Sequence, residues 1–330
     1  MFAPESFTAA AMMTALTLYA LLGGADFGGG ILELFLYGKS GVEGRKLIAN
    51  AIGPVWEANH VWLILVIVLL FVCFPPAFAA IMTTLFVPLS FLLIGIIFRG
   101  TLFVLRSYVI QRQQIISRFF SLTSLVTPFF LGVVIGGVSS GTLNLETKSL
   151  ADSLSLCLHP YPMALGVLTV ILFSFLAAVY LTLETDKKEL QDLFRLRGII
   201  LLVLLVPVAL VVFFLARTGA PRIFLELSGS VWSVPLFLLT FGTTVVTALS
   251  LVKRRFRIAQ LGAGALTVFI LWGWGLAQFP MLLVPDLTIY NTAAPTITHQ
   301  LVLIALGGGA IVLFPSLYTL FKVFKWDSRG

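Results

Sequence analysis

"LLGGADFGGGILELF", residues 21–35, closes an apolar run that begins near residue 8, yet it carries Asp26 and Glu33 seven residues apart. About 20 apolar residues in helical form cross a hydrocarbon core of roughly 30 Å, so the run reads as a membrane helix holding two carboxylates. Eight further runs of similar length follow, near 53–74, 77–98, 119–138, 161–183, 198–216, 231–252, 259–279 and 300–323. Their apolar character is continuous and shows no period-2 alternation. Lipid-exposed backbone must bond within its own segment, which selects helices over a barrel. The expected fold class is all-α, a polytopic integral membrane protein with about nine transmembrane helices. The longest connections, 139–160 and 280–299, are too short for a module with its own core, so residues 1–330 read as a single transmembrane domain.

Composition agrees. Of the 330 residues, 59% are hydrophobic and only 11% charged, against about 25% charged in an average soluble domain. The net charge of +7 finds its explanation in topology. All of the 21 Lys and Arg residues except Lys148, Arg217 and Arg222 fall on one side of the nine spans. The positive-inside rule makes that side cytoplasmic, with the N-terminus outside and the C-terminus inside. "KRRFR" at 253–257 then reads as an anchor to anionic inner-leaflet lipid, and no nucleic acid partner is required. Cys73 and Cys157 have neither disulfide-framework nor metal spacing. The N-terminal stretch lacks the basic start of a cleavable signal peptide, so the first helix reads as its own insertion signal. There is no Walker loop, HExxH or nucleophile elbow, so no self-sufficient active site is expected.

The candidate chemistry lies at the cytoplasmic end of the first two helices. Seven residues of spacing put Asp26 and Glu33 on one helix face, and the glycines from Gly23 to Gly30 strip that region of bulk, which permits close helix packing. The second helix opens "AIGPVWEANHVWLI", with Trp56, Glu57, Asn59 and His60 in its first turns. Glu57 has a structural reading, as a carboxylate favoured by a helix N-terminus. So many polar groups at membrane depth are costly, however, and mark function by default. Glu33, Asp26, Glu57 and His60 in series have the chemistry of a proton relay, since each can gain and release a proton. A hard cation held near Asp26 and Glu57 is the competing chemistry. His60 as a haem ligand lacks a partner histidine at its depth. His159 and His299 border external connections and read as solvated or helix-end residues. Arg99 either pairs with one of the carboxylates or snorkels to lipid phosphate.

"GGADFGGGILELF", then "IGPVWEANHVWLI", "FRG" at 98–100, "FPMLLVP" at 279–285 and "TIYNTAAP" at 288–295 resemble subunit II of the cytochrome bd-type quinol oxidases, in order and spacing. The resemblance implies a prokaryotic inner-membrane oxidase that oxidises quinol and reduces dioxygen to water. It also implies two four-helix bundles plus one peripheral helix in this chain. The b- and d-type haems and the quinol site would belong to a haem-bearing subunit I, with no cofactor bound by this chain. This chain would stabilise that partner and contribute a cytoplasmic proton pathway. Asp26 matches the family's first-helix acidic residue, and Glu57 the acidic residue after the second-helix tryptophan, here Trp56. Better-known relatives often have aspartate at the latter position and an amide in place of His60, so a protonatable path is preserved. A small accessory subunit and contacts with lipid or quinone are further expected partners. The alternative function is a carboxylate-based proton- or cation-coupled transporter, which predicts a broken helix at the midplane and an internal repeat.

Overall fold

The computed structural model describes residues 3–53, 56–108, 113–141 and 150–321. In chain order the helices are α1 (Pro4–Glu33), α2 (Gly38–Ile52), α3 (Trp56–Cys73), α4 (Pro75–Thr84), α5 (Phe86–Tyr108), α6 (Gln113–Ser140), α7 (Leu150–Cys157), α8 (Pro160–Leu181), α9 (Lys188–Gly219), α10 (Pro221–Gly229), α11 (Ser233–Val252) and α12 (Phe256–Gln278). A two-stranded antiparallel ribbon, β1 (Met281–Leu283) with β2 (Leu287–Thr288), precedes α13 (Thr296–Phe321). Nine helices among the described residues are long and apolar enough to cross a membrane: α1, α3, α5, α6, α8, α9, α11, α12 and α13.

Two four-helix groups are joined along one seam. α1, α3, α5 and α6 form the first, and α8, α9, α11 and α12 the second. α8 packs against both α1 and α6 and so joins them, while α13 lies outside against α1 and α3. Close packing at the seam and within the first group depends on missing side chains. A Cβ on Gly28 would collide with the Phe173 carbonyl oxygen of α8, and one on Gly30 with Ser124 Oγ of α6. Apolar side chains give helices in lipid no reason to prefer each other over acyl chains, so close backbone approach through small residues supplies the attraction.

The third span begins later than composition indicates. Residues 77–98 were its expected extent, whereas the membrane-length helix covers Phe86–Arg106. Pro75 and Pro76 start a separate helix, α4, which stops at Leu85, where φ −103° and ψ 23° leave the helical region. Both sides of this break are apolar, so a hydropathy window passes over it. As a result Arg99, expected at the cytoplasmic end of the span, sits more than two turns before the end of α5.

The first connection is also more structured than a loop. α2 folds back beside α1, and Ile48 and Ile52 are buried in a cluster with Leu32, Leu36, Ala178 and Phe194. Two arginines close the end of α1 there. Arg45 Nη1 donates to Leu36 O at 2.6 Å, while Arg197 of α9 donates to Leu32 O at 3.1 Å and to Phe35 O. Leu32 lies in the last turn of α1 and Phe35 and Leu36 just beyond it, and the second bundle supplies one of the two donors.

At the opposite end His159 is the residue before α8, as a helix-end reading has it. His299 departs from the solvated reading. It is fully buried in the first turn of α13, its Nδ1 3.0 Å from Thr8 Oγ1 of α1 and its ring 5.3 Å from Phe74. The Ala294 amide donates to the Cys73 carbonyl at 2.8 Å, which ties the segment before α13 to the end of α3.

Candidate functional site

The two carboxylates of α1 each meet an arginine of α5. Asp26 and Arg99 are 4% and 1% exposed. Arg99 Nη2 lies 3.3 Å from Asp26 Oδ1, Nη1 donates to Oδ2 at 3.4 Å, and Nη2 also donates to the Asp26 carbonyl at 3.1 Å. Arg99 Nε donates to Ser124 Oγ at 3.1 Å, and the guanidinium sits 4.5 Å from the Phe27 ring and 5.1 Å from Phe120. One heptad on, Arg106 Nη1 donates to both Glu33 oxygens, at 3.0 and 3.3 Å, and its guanidinium lies 4.4 Å from Phe120. Spans one and three run in the same direction, so a seven-residue repeat on each keeps the two pairs in register. Each buried charge needs its partner, since an ion withdrawn from water alone costs several kcal/mol.

The second span contributes unequally. Asn59 is buried and its Nδ2 donates to the Leu22 carbonyl of α1 at 3.4 Å, tying α3 to α1 at the level of Asp26. His60 is half-buried, with Tyr19 and Phe27 at 6.0 Å and Trp56 at 6.4 Å between ring centres, and its Nδ1 has no hydrogen-bond partner among the described residues. Those rings occupy three sides of the imidazole, which does not suit a porphyrin face. Trp56 packs on Phe103 of α5 at 5.5 Å. Glu57 is exposed on the first turn of α3. Asp26, Asn59 and Arg99 are thus brought together and Glu33 lies one heptad along, while Glu57 is not brought to Asp26. The cation beside Asp26 is a guanidinium, and among the described residues no three His, Cys, Asp or Glu side chains cluster as metal ligands.

A cavity of about 690 Å³ opens on the other side of Asp26, between α1 and α2 of one half and α8 and α12 of the other. Asp26 and Asn59 lie at its buried end, and the exposed Asp186 and Arg257 at its open end. Arg106, Ser124 and this cavity are the parts of the site not anticipated above. The matching seven-residue spacings of Asp26 to Glu33 and Arg99 to Arg106 carried the first in the sequence; the other two depend on how α6 and the second bundle pack.

The molecule is thus a multi-pass helical membrane protein whose distinctive polar groups are buried carboxylate–arginine pairs. It belongs to the cytochrome bd terminal oxidase subunit II family, whose model matches residues 5–324. The cytochrome bd ubiquinol oxidase subunit 2 of Bacillus subtilis (strain 168) is 27% identical over 308 residues, covering 90% of this chain and 87% of that protein. A putative cytochrome bd menaquinol oxidase subunit II of the same organism is 23% identical over 338 residues, covering 94% and 93%. The solved bd oxidase from Geobacillus thermodenitrificans matches with a TM-score of 0.81 at 22% identity, covering 98% of this chain and 99% of the matched chain, which shows a shared fold. The chain is accordingly a membrane subunit of a bd-type quinol oxidase, a complex that also has a subunit I and carries haems.

Proposed function

We propose that this chain acts as the haem-free half of the oxidase, bracing the haem-bearing subunit I and leading protons from the cytoplasm toward it past Asp26. Its arginine-rich end faces the cytoplasm, the N-terminus lies outside, and residues 1–330 work as one transmembrane unit. The b- and d-type haems and quinol oxidation belong to subunit I, with a small accessory subunit, lipid and quinone as further neighbours. Asp26, Glu33, Glu57 and His60 are the protonatable groups of the path, with Trp56, Asn59 and Arg99 positioning them. The observation that carries the reading is the Asp26–Arg99 pair, a carboxylate kept deep among membrane helices by a dedicated counter-charge. Such groups are expensive in lipid and mark ion or proton routes.

The exposed Glu57 fits a group that completes the path only once subunit I covers α3. The test is quinol-dependent oxygen consumption and proton uptake by the purified two-subunit complex carrying Asp26→Asn or Glu57→Gln, with haem content measured alongside. Turnover falls in both while haem content and assembly stay normal. Wild-type turnover and uptake in both variants sink the proposal.

A further inference from the structure

The inter-bundle cavity has no role in the pairing of Asp26 with Arg99, and it touches residues of the second bundle that the reading above leaves idle. We infer that it is the water-filled inlet by which protons reach Asp26, with a mouth built by the second bundle from Glu184 and Asp186 after α8 and Arg257 in the first turn of α12. The inference rests on the proton-path reading and adds where that path begins.

Three observations lead there. First, the α5 and α6 side of Asp26 is shut. The Arg99 guanidinium fills it, held between Phe27 and Phe120 and fixed by Ser124. Toward the end of α1 the Glu33–Arg106 pair, stacked on the same Phe120, closes the face two turns on. The side facing α2, α8 and α12 is where the cavity lies.

Second, the buried Asp26 Oδ1 has the Arg99 ion pair at 3.3 Å and no hydrogen bond besides it among the described residues. A carboxylate oxygen can accept more than one donor, and ordered water supplies the next where space and polar neighbours exist. The cavity supplies both, with Asn59, Tyr180 and Gln260 in its wall beside Asp26. Its remaining wall, including Leu21, Ile48 and Ile52, is aliphatic, so water inside has few groups to bind tightly and stays mobile.

Third, the open end carries carboxylates. Glu184 and Asp186 line it opposite Arg257, and acidic groups at the rim of a low-dielectric funnel raise the local concentration of cations, protons among them. The two bundles then divide the task. The second gathers protons at the surface and the first holds the acceptor at depth.

The test uses the assembled two-subunit oxidase with Leu183→Cys, a wall position between the mouth and the floor. The variant is measured before and after reaction with benzyl methanethiosulfonate. Quinol-dependent oxygen consumption and proton uptake fall several-fold on labelling and return on treatment with dithiothreitol, while anaerobic reduction of the haems by quinol keeps its rate. Wild-type complex, whose Cys73 and Cys157 are buried, is the reagent blank. Asp26→Asn is assayed in parallel. Slow turnover in Asp26→Asn together with full turnover in the labelled complex overturns the inlet and leaves the proposed function standing. Full turnover in Asp26→Asn overturns both. Density for a lipid acyl chain filling the cavity in the complex also overturns the inlet, because a hydrocarbon plug carries no protons.

Discussion

Arg99 reaches from the third span to Asp26 on the first at 3.3 Å, with both side chains almost wholly withdrawn from the surface. The geometry is that of a fixed counter-charge rather than a snorkelling side chain, because Ser124, the Asp26 carbonyl and two phenylalanine rings hold the guanidinium in place.

Removing one member of this pair strands the other. Arg99→Met leaves a buried carboxylate without compensation, and losses of about 3–5 kcal/mol are typical of such cuts. The assembled complex should fall in yield and in thermal midpoint, whereas Arg99→Met with Asp26→Asn recovers much of both while remaining slow in turnover. Equal stability of the single and double variants would show that the charges do not depend on each other.

The glycine seam predicts a sharp positional contrast. Gly28→Ala places a methyl group against the backbone of α8, where no side chain can move aside, while a Cβ on Gly307 meets nothing within 4 Å. Gly28→Ala should cost several kcal/mol or abolish assembly, since strain against fixed backbone is among the larger single-residue effects. Gly307→Ala should be neutral in thermal unfolding of the complex.

Arg197→Ala withdraws two charge-assisted hydrogen bonds from the end of α1. Hydrogen bonds to charged groups contribute about 1.5–3 kcal/mol each, so limited proteolysis should cut the α1–α2 connection faster. Arg197→Lys, able to reach only one carbonyl at a time, should fall between wild type and alanine.

Thr8→Val removes the hydroxyl facing His299 Nδ1 and leaves the packing on Phe74 in place. A neutral hydrogen bond contributes about 1 kcal/mol, or roughly a five-fold change in an opening equilibrium. Amide exchange in the first turns of α13 should quicken by that factor while α8 is unaffected. A change spread through both bundles would contradict a local latch.

Burial pushes the Cys157 thiol above its ordinary value. The thiolate is the reactive form, so at pH 8 the folded chain should take up maleimide at Cys157 far more slowly than the unfolded chain. The difference should narrow as the pH rises toward the raised value. Equal rates at pH 8 would mean that the pocket around α7 is open.

Hydropathy alone located the spans, because twenty apolar residues have few other uses. It failed at Leu85, where two helices meet with no charged residue and only Thr83 and Thr84 beside the junction, and at α2, whose apolar side is only Leu47, Ile48, Ala51 and Ile52 within a polar stretch. Asp26 and Glu33 stood out because charge is rare in such a chain. Which residue faces them could not be read from hydropathy, since it depends on the start of α5, and a shift of nine positions took Arg99 from a helix end into the protein interior. Glu57 shows the converse: its helix position was legible, while its outward direction is set by how α3 rests on α1.

The chain is made from its N-terminus, and this bears on the first ion pair. Asp26 leaves the ribosome 73 residues ahead of Arg99, an interval of about 4–15 s at 5–20 residues per second. Throughout that interval the acidic first helix has no mate of its own. Something else must shelter it in the meantime, whether the insertion machinery or a proton taken up in transit, so the same charge that is matched in the finished fold makes its birth the most exposed moment of its life.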